Sequence, residues 1–180
     1  MIEIRRERPD DVGAIREVNA RAFGAPVEAR LVDLLRARGQ AVISLVAQRG
    51  DQVVGHILFS PVTITNRVDE AGGQACATES LRAVGLAPMS VLPEFQNQGI
   101  GSRLVRVGLA ACQVAGYDIV VVLGHVAFYP RFGFATATDY GLQNEYDATD
   151  AFMVLALRQG ALDGISGLVK YAPEFHEVGF

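Results

Sequence analysis

The chain has 180 residues, 50% of them hydrophobic and 20% charged, with a formal net charge of -4. That balance suits one globular domain and excludes disordered arrays and long coiled coils. It also excludes the basic field that nonspecific nucleic-acid binding requires, and no apolar run reaches the ~18 residues that span a bilayer.

In chain order, residues 2 to 6 alternate like a short strand, and their charges predict that no signal peptide opens the chain. Pro9 fits the first helical position, where a missing N–H costs nothing, and Asp10 and Asp11 suit the positive end of the helix dipole. Val12, Ile15, Val18 and Ala22 follow at helical spacing. A second helix is expected from Val27, with Leu31, Leu34 and Leu35 on one face and Gly39 as its stop. Residues 41 to 47 read as a strand, 49 to 52 as a turn, and 53 to 65 as the hairpin partner, interrupted by Pro61. Residues 66 to 80 are polar and Gly-rich, which predicts a flexible loop. Leu86 to Val91 is a short apolar run. Pro93 to Gly99 is a polar loop, and Ile100, Leu104, Val107, Ala111 and Val114 mark a helix that Gly116 ends. Asp118 to Leu123 is a β-branched run of buried-strand type. Strand-like segments follow near 134 to 140 and 151 to 157, and the tail from 160 is Gly-rich and weakly periodic. The order predicts one α/β domain over 1–180, with its core at about 1–158 and a C-terminal extension at about 159–180.

Cys76 and Cys112 match no metal or redox spacing, and three isolated histidines offer no ligand set, so no metal is expected. Their separation and the lack of a span predict a reduced, cytoplasmic protein. The 16 basic residues are 15 Arg and Lys170, scattered along the chain and without a basic face.

The chemistry concentrates in Met89 to Leu104. Here a strand runs into a loop and then into a helix whose first turn holds Gly99 and Gly101. Unpaired N–H groups at a helix start carry positive partial charge, and glycine lets a bulky anion approach the backbone. Together they make an anion site suited to a phosphate or pyrophosphate. On the glycines alone, close packing of helix on sheet explains them equally well. There is no Gly-Lys-Ser/Thr for a P-loop, and the third glycine of a dinucleotide fingerprint is missing.

Gln96-Asn97-Gln98-Gly99-Ile100-Gly101 fits the Q/R-x-x-G-x-G/A signature and resembles the GNAT N-acetyltransferase superfamily. Phe128-Tyr129-Pro130-Arg131-Phe132-Gly133-Phe134 resembles that family's Tyr-x-x-x-Gly-Phe element. The run from Leu123-Gly124-His125 to Phe134 looks like the YhbS-type group within it. The resemblance covers residues 1 to about 158. It implies a mixed, mostly antiparallel central sheet with helices on both faces. It also implies an acetyl-CoA-dependent N-acetyltransferase in which an amine attacks the thioester directly. By matched position the cofactor set is Met89, Ser90 and Val91 on the strand, then Gln96, Gln98, Gly99, Ile100, Gly101, Ser102 and Arg103, with Phe128 and Arg131 downstream.

Tyr129 matches the family's general acid. Read without the resemblance, it is a buried aromatic. His56 and Glu28 are candidates for the base and for holding a cationic amine. Their bland alternatives are a hydrogen-bonded sheet histidine and a solvated helix carboxylate. Glu79 is weighed in the same way. Many relatives carry an Asn before the Tyr, where this chain has the short connection Gly124-His125-Val126-Ala127; His125 either replaces part of that contact or bonds backbone. The acceptor, a small-molecule or protein amine, is not specified by the sequence. A competing class is an acyl-CoA-binding sensor or interaction module without turnover. Strand edges near the C-terminus are candidates for pairing in a homodimer.

Overall fold

Residues 1–65 and 81–180 are described by the structure, a computed structural model. The expected flexible loop at 66 to 80, with Cys76 and Glu79 in it, lies outside the described residues. The chain divides into two compact units. The first comprises Met1–Ser60, Leu86–Cys112 and Ala172–Phe180, and the second Pro61–Gly85 and Gln113–Tyr171.

The first unit begins with strand β1 (Ile2–Arg6) and a 3-10 turn, Pro9–Asp11, that opens helix α1 (Val12–Phe23). Asp11 accepts both Arg5 guanidinium N–H groups, at 2.6 and 2.9 Å, and the Arg8 backbone N–H at 2.7 Å. The Arg5 hydrogen bond is the main reason its carboxyl titrates below the usual range. Helix α2 (Val27–Ala37) buries Leu31, Val32 and Leu35 as its spacing requires, and Gly39 leaves it at φ 71°. Strands β2 (Ile43–Arg49) and β3 (Gln52–Pro61) form the expected hairpin, and β1 pairs antiparallel with β2.

Strand β5 (Ala83–Val91) lies next to β3. Helix α3 (Ile100–Val114) follows it, and a short helix α4 (Glu174–Val178) packs near α2. Every residue of β3 from Val53 to Ser60 is buried, so both of its faces are covered. Leu104 and Gly108 of α3 meet Gly55 and Phe59 on one face. Asn19 of α1 meets His56 on the other. Alternating residues of one strand therefore contact helices from opposite sides, as the sandwiched-sheet expectation requires.

In the second unit the first residues of β5 pair in parallel with β6 (Ile119–Leu123). Strand β9 (Phe152–Ala156) pairs antiparallel with β6 and with β7 (Ala135–Thr136). Asp118 ties the start of β5 to the end of β9: its carboxylate accepts the Arg82 backbone N–H at 2.8 Å and the Arg158 Nε–H at 2.5 Å. A smaller sheet joins β4 (Thr63–Thr65), β10 (Gly167–Lys170) and β8 (Leu142–Asn144).

Three expectations need correction. The segment from 134 to 140 is not one strand. Pairing stops at Thr136, and Ala137–Tyr140 is a 3-10 turn that Gly141 ends at φ 76°. The alternation of Ala and Thr there imitates a strand, but Ala137 is fully buried at the start of the turn. Pro61 does more than bend the hairpin strand: β3 ends on it, and Thr63–Thr65 pairs in the smaller sheet. The weakly periodic tail holds both β10 and α4, which at four and five residues are too short to show a period.

Candidate active site

In the first unit, β5 closes with the Leu92 N–H donating to the Val54 carbonyl at 2.9 Å. Pro93 then starts a 3-10 turn, with its fixed φ suited to that position. Two glutamines brace the loop: Gln96 Nε2 donates to the Val91 carbonyl at 3.0 Å, and Gln98 Nε2 to the Glu94 carbonyl at 3.1 Å. Asn97 and Gly99 are both left-handed, at φ 59° and 78°, and turn the chain into α3. The first bond of that helix runs from the Arg103 N–H to the Gly99 carbonyl at 3.1 Å. The amides of Ile100, Gly101 and Ser102 precede it, so they lie at the positive end of the helix dipole. Among the described residues, no atom beyond its own chain neighbours lies within 4 Å of where a Gly99 side chain would begin. Gly99 is therefore required for its backbone angle, and the space beside it is open.

The structure separates the remaining cofactor candidates of this unit. Ser90 and Val91 are buried and Met89 is half-buried. The Ser90 hydroxyl has no hydrogen-bond partner among the described residues. The Arg103 guanidinium donates to the Ile2 carbonyl at 2.9 Å, tying α3 to β1.

His56 is wholly buried, and its surroundings fix its tautomer. Asn19 Nδ2 donates to the Ile15 carbonyl at 2.9 Å, so the atom 3.2 Å from His56 Nδ1 is also an N–H donor. Nδ1 therefore accepts, and the proton sits on Nε2. Nε2–H donates to Ser44 Oγ at 2.9 Å, and Ser44 donates onward to Glu7, which also accepts from Arg36. Burial first, and the Arg36 charge second, push the ring down to about 3. Both ring nitrogens are engaged inside the unit, so His56 is a hydrogen-bonded sheet histidine. Glu28 stands in the first turn of α2, half-buried, with Oε2 buried and without a hydrogen-bond partner among the described residues.

In the second unit the parallel pairing of β5 and β6 covers three residues and stops at Gly85↔Val121, while β6 continues to Leu123. Gly124 adds one more bond, donating to the Ala151 carbonyl at 3.0 Å. The chain then turns so that the His125 carbonyl accepts the N–H groups of Phe128 and Tyr129 at 2.9 and 3.4 Å. Among the described interactions, His125 thus contributes its backbone, while its side chain is exposed. Tyr129 is 6% exposed and meets Phe128 and Phe134 edge-on, at centroid distances of 5.1 and 5.6 Å. Burial pushes its phenol up to about 12. Arg131 stacks over the Phe128 ring at 4.5 Å and donates Nε–H to the Phe128 carbonyl.

Cys112 is fully buried, and burial holds its thiol up at about 12, which leaves it unreactive. No group of three or more His, Cys, Asp or Glu among the described residues is placed to hold a metal ion. No helix among them is long and apolar enough to cross a membrane.

The family model for the acetyltransferase (GNAT) domain matches residues 40–136. The chain is also 37% identical over 175 residues to the uncharacterized N-acetyltransferase YhbS of Escherichia coli (strain K12), covering 96% of this chain and 98% of that one. The chain belongs to the GNAT acetyltransferase family. Two solved GNAT structures resemble it over nearly its whole length. One is YhbS from Escherichia coli in complex with CoA, at TM-score 0.86 and 36% identity, covering 97% of this chain and 92% of that one. The other is a GNAT acetyltransferase from Brucella melitensis in complex with acetyl-CoA, at TM-score 0.75 and 37% identity, covering 97% and 98%. The family model takes in both the Gly99 loop and Tyr129. Residues missed from the sequence are Asn19, Ser44, Glu7 and Arg36 around His56, none of which stands in a motif. Gly124 stands in the run that resembles the family, but its close approach to Tyr129 does not show in the sequence.

Proposed function

We propose that this chain transfers the acetyl group of acetyl-CoA to a primary amine by direct attack on the thioester. The observation that carries the reading is the loop into α3. Three amides precede the first helical bond, beside an open left-handed glycine, in a family whose relatives were solved with CoA and acetyl-CoA. These features fit a pyrophosphate, which needs N–H donors and positive partial charge. Gln98, Gly99, Ile100, Gly101 and Ser102 would hold it. Gln96 braces the loop from beneath, and Met89, Ser90 and Val91 would supply backbone to the pantetheine arm. Phe128 and Arg131 complete the set as one stacked pair.

Acetyl-CoA supplies an activated acyl carbon. The amine loses one proton to solvent to become neutral, its nitrogen forms the new C–N bond and releases a second proton to solvent, the C–S bond breaks, and the leaving sulfur takes a proton from Tyr129, whose phenolate is reprotonated from solvent. Glu28 would hold the amine as a cation before attack, since it has a buried oxygen free to accept. Glu28→Gln is expected to raise KM for a cationic amine several-fold with kcat little changed; unchanged KM rejects that role.

A second reading, an acyl-CoA-binding module without turnover, is favoured by the sealed His56, which takes that candidate base out of reach of a substrate. Thiol release from acetyl-CoA across a panel of primary amines separates the two. Amine-dependent release supports the enzyme. Binding without release supports the module.

A further inference from the structure

We propose that Gly124 is the positioning residue that sets where the Tyr129 hydroxyl stands; the inference rests on the reading of Tyr129 as the acid. A Cβ at Gly124 would lie 2.2 Å from Tyr129 Cε2, 2.9 Å from Cδ2 and 3.2 Å from Cζ, the carbon that bears the hydroxyl. The first of these distances is far inside contact, so the ring and a side chain at 124 cannot both occupy their places.

Backbone angle gives no reason for this glycine, because Gly124 is absent from the positive-φ positions. The reason is space alone. Neither partner can step aside. Gly124 directly follows β6 and is held by its bond to the Ala151 carbonyl. Tyr129 is gripped edge-on by Phe128 and Phe134 and closed to solvent. The Tyr129 N–H bond to the His125 carbonyl makes the link between them a single short turn. A rigid strand end thus acts as a stop against the hydroxyl-bearing edge of the ring. An acid needs such a stop, because a displacement of ~1 Å from productive geometry costs about 100-fold in rate.

The test is Gly124→Ala in protein carrying 3-fluorotyrosine, read by ¹⁹F NMR, with the Tyr129 resonance assigned by its loss in Tyr129→Phe. The Tyr129 resonance should move, and its titration should fall toward that of an exposed phenol, while the Tyr117 resonance stays in place. With the best amine of the panel, kcat should fall tenfold or more while the acetyl-CoA Kd holds. The alkaline limb of the pH–rate profile should also move. In a Tyr129→Phe background, Gly124→Ala should cost no further rate. If Gly124→Ala does not fold, the pair with Tyr129→Ala should, because the ring it strikes is gone. An unmoved Tyr129 resonance and titration, or a pair that stays unfolded where Tyr129→Ala alone folds, overturns the inference. If instead Tyr129→Phe leaves thiol release unchanged, the acid role falls while the steric stop is still judged by the resonance.

Discussion

Tyr129→Phe should lower kcat for acetyl transfer by about 100-fold or more, the range in which removal of a positioned acid falls. Acetyl-CoA affinity should be unchanged, because the residues that would hold the pyrophosphate belong to the loop at 96 to 103. Phenylalanine keeps the ring, and with it the edge contacts to Phe128 and Phe134, so the fold has no reason to loosen. The pH dependence follows from burial. A phenol pushed up to about 12 stays protonated through the working range, so Tyr129 itself imposes no loss of rate below pH ~10. The phenol is also a weaker acid than a thiol of pKa ~8.5. It therefore serves first as a hydrogen bond to sulfur as charge develops, and the proton follows as the C–S bond breaks. Steady-state kinetics against calorimetric Kd checks this. A variant with wild-type kcat removes Tyr129 from the mechanism.

The second large effect is on stability in mild acid. His56 folds as a neutral ring held down at about 3, whereas an unfolded histidine titrates near 6.5. Between these values the unfolded chain binds one proton more than the folded one. Stability therefore rises with pH across that window and is lost as pH falls below ~6.5, by up to ~1.4 kcal/mol per pH unit from this group. The Glu7 carboxylate 4.0 Å from Nε2 is already paired with Arg36, and the geometry at Nδ1 gives the same sign as burial. A proton on Nδ1 would face the Asn19 Nδ2–H group, and turning the Asn19 amide would set its oxygen against the Ile15 carbonyl. The lowered carboxylates of Asp11, Asp118 and Glu177 act below the upper part of this window, near and under their ordinary values of about 4. Urea unfolding at pH 5.0, 6.0 and 7.5 should show the slope in the wild type and a flatter one in His56→Gln. Equal slopes would mean that His56 is charged or solvated in the folded protein.

The loop and the His56 site show where sequence reading works. Gln96 to Gly101 was legible because anion binding at a helix start uses backbone, and backbone geometry leaves its mark as glycines at fixed places. The resemblance implies Gln96 and Gln98 as cofactor ligands; in the structure their side chains bond loop carbonyls. The buried state of His56 was legible from its apolar strand. Its partners were not, because Asn19, Ser44, Glu7 and Arg36 come from four separate segments. Gly124 stands in the run that resembles the family, but its steric role was not legible. Its constraint is a contact with a ring five residues on, and only the folded turn brings the two together. The smaller sheet escaped notice because its strands are three or four residues long, below the length at which alternation is distinct.

On this mechanism the start of α3 holds the pyrophosphate of acetyl-CoA. Calorimetric titration with acetyl-CoA of the wild type, Gly99→Asn and Gly99→Asp tests it most directly. Asparagine and aspartate tolerate the left-handed angle better than other side chains, and there is room for both. An aspartate at a helix start favours folding, so any lost binding is not lost structure. The wild type should bind, Gly99→Asn should keep affinity within about tenfold, and Gly99→Asp should lose at least about tenfold more as one negative charge meets another. A wild type that binds no acetyl-CoA, or Asn and Asp variants that bind it equally well, would contradict it.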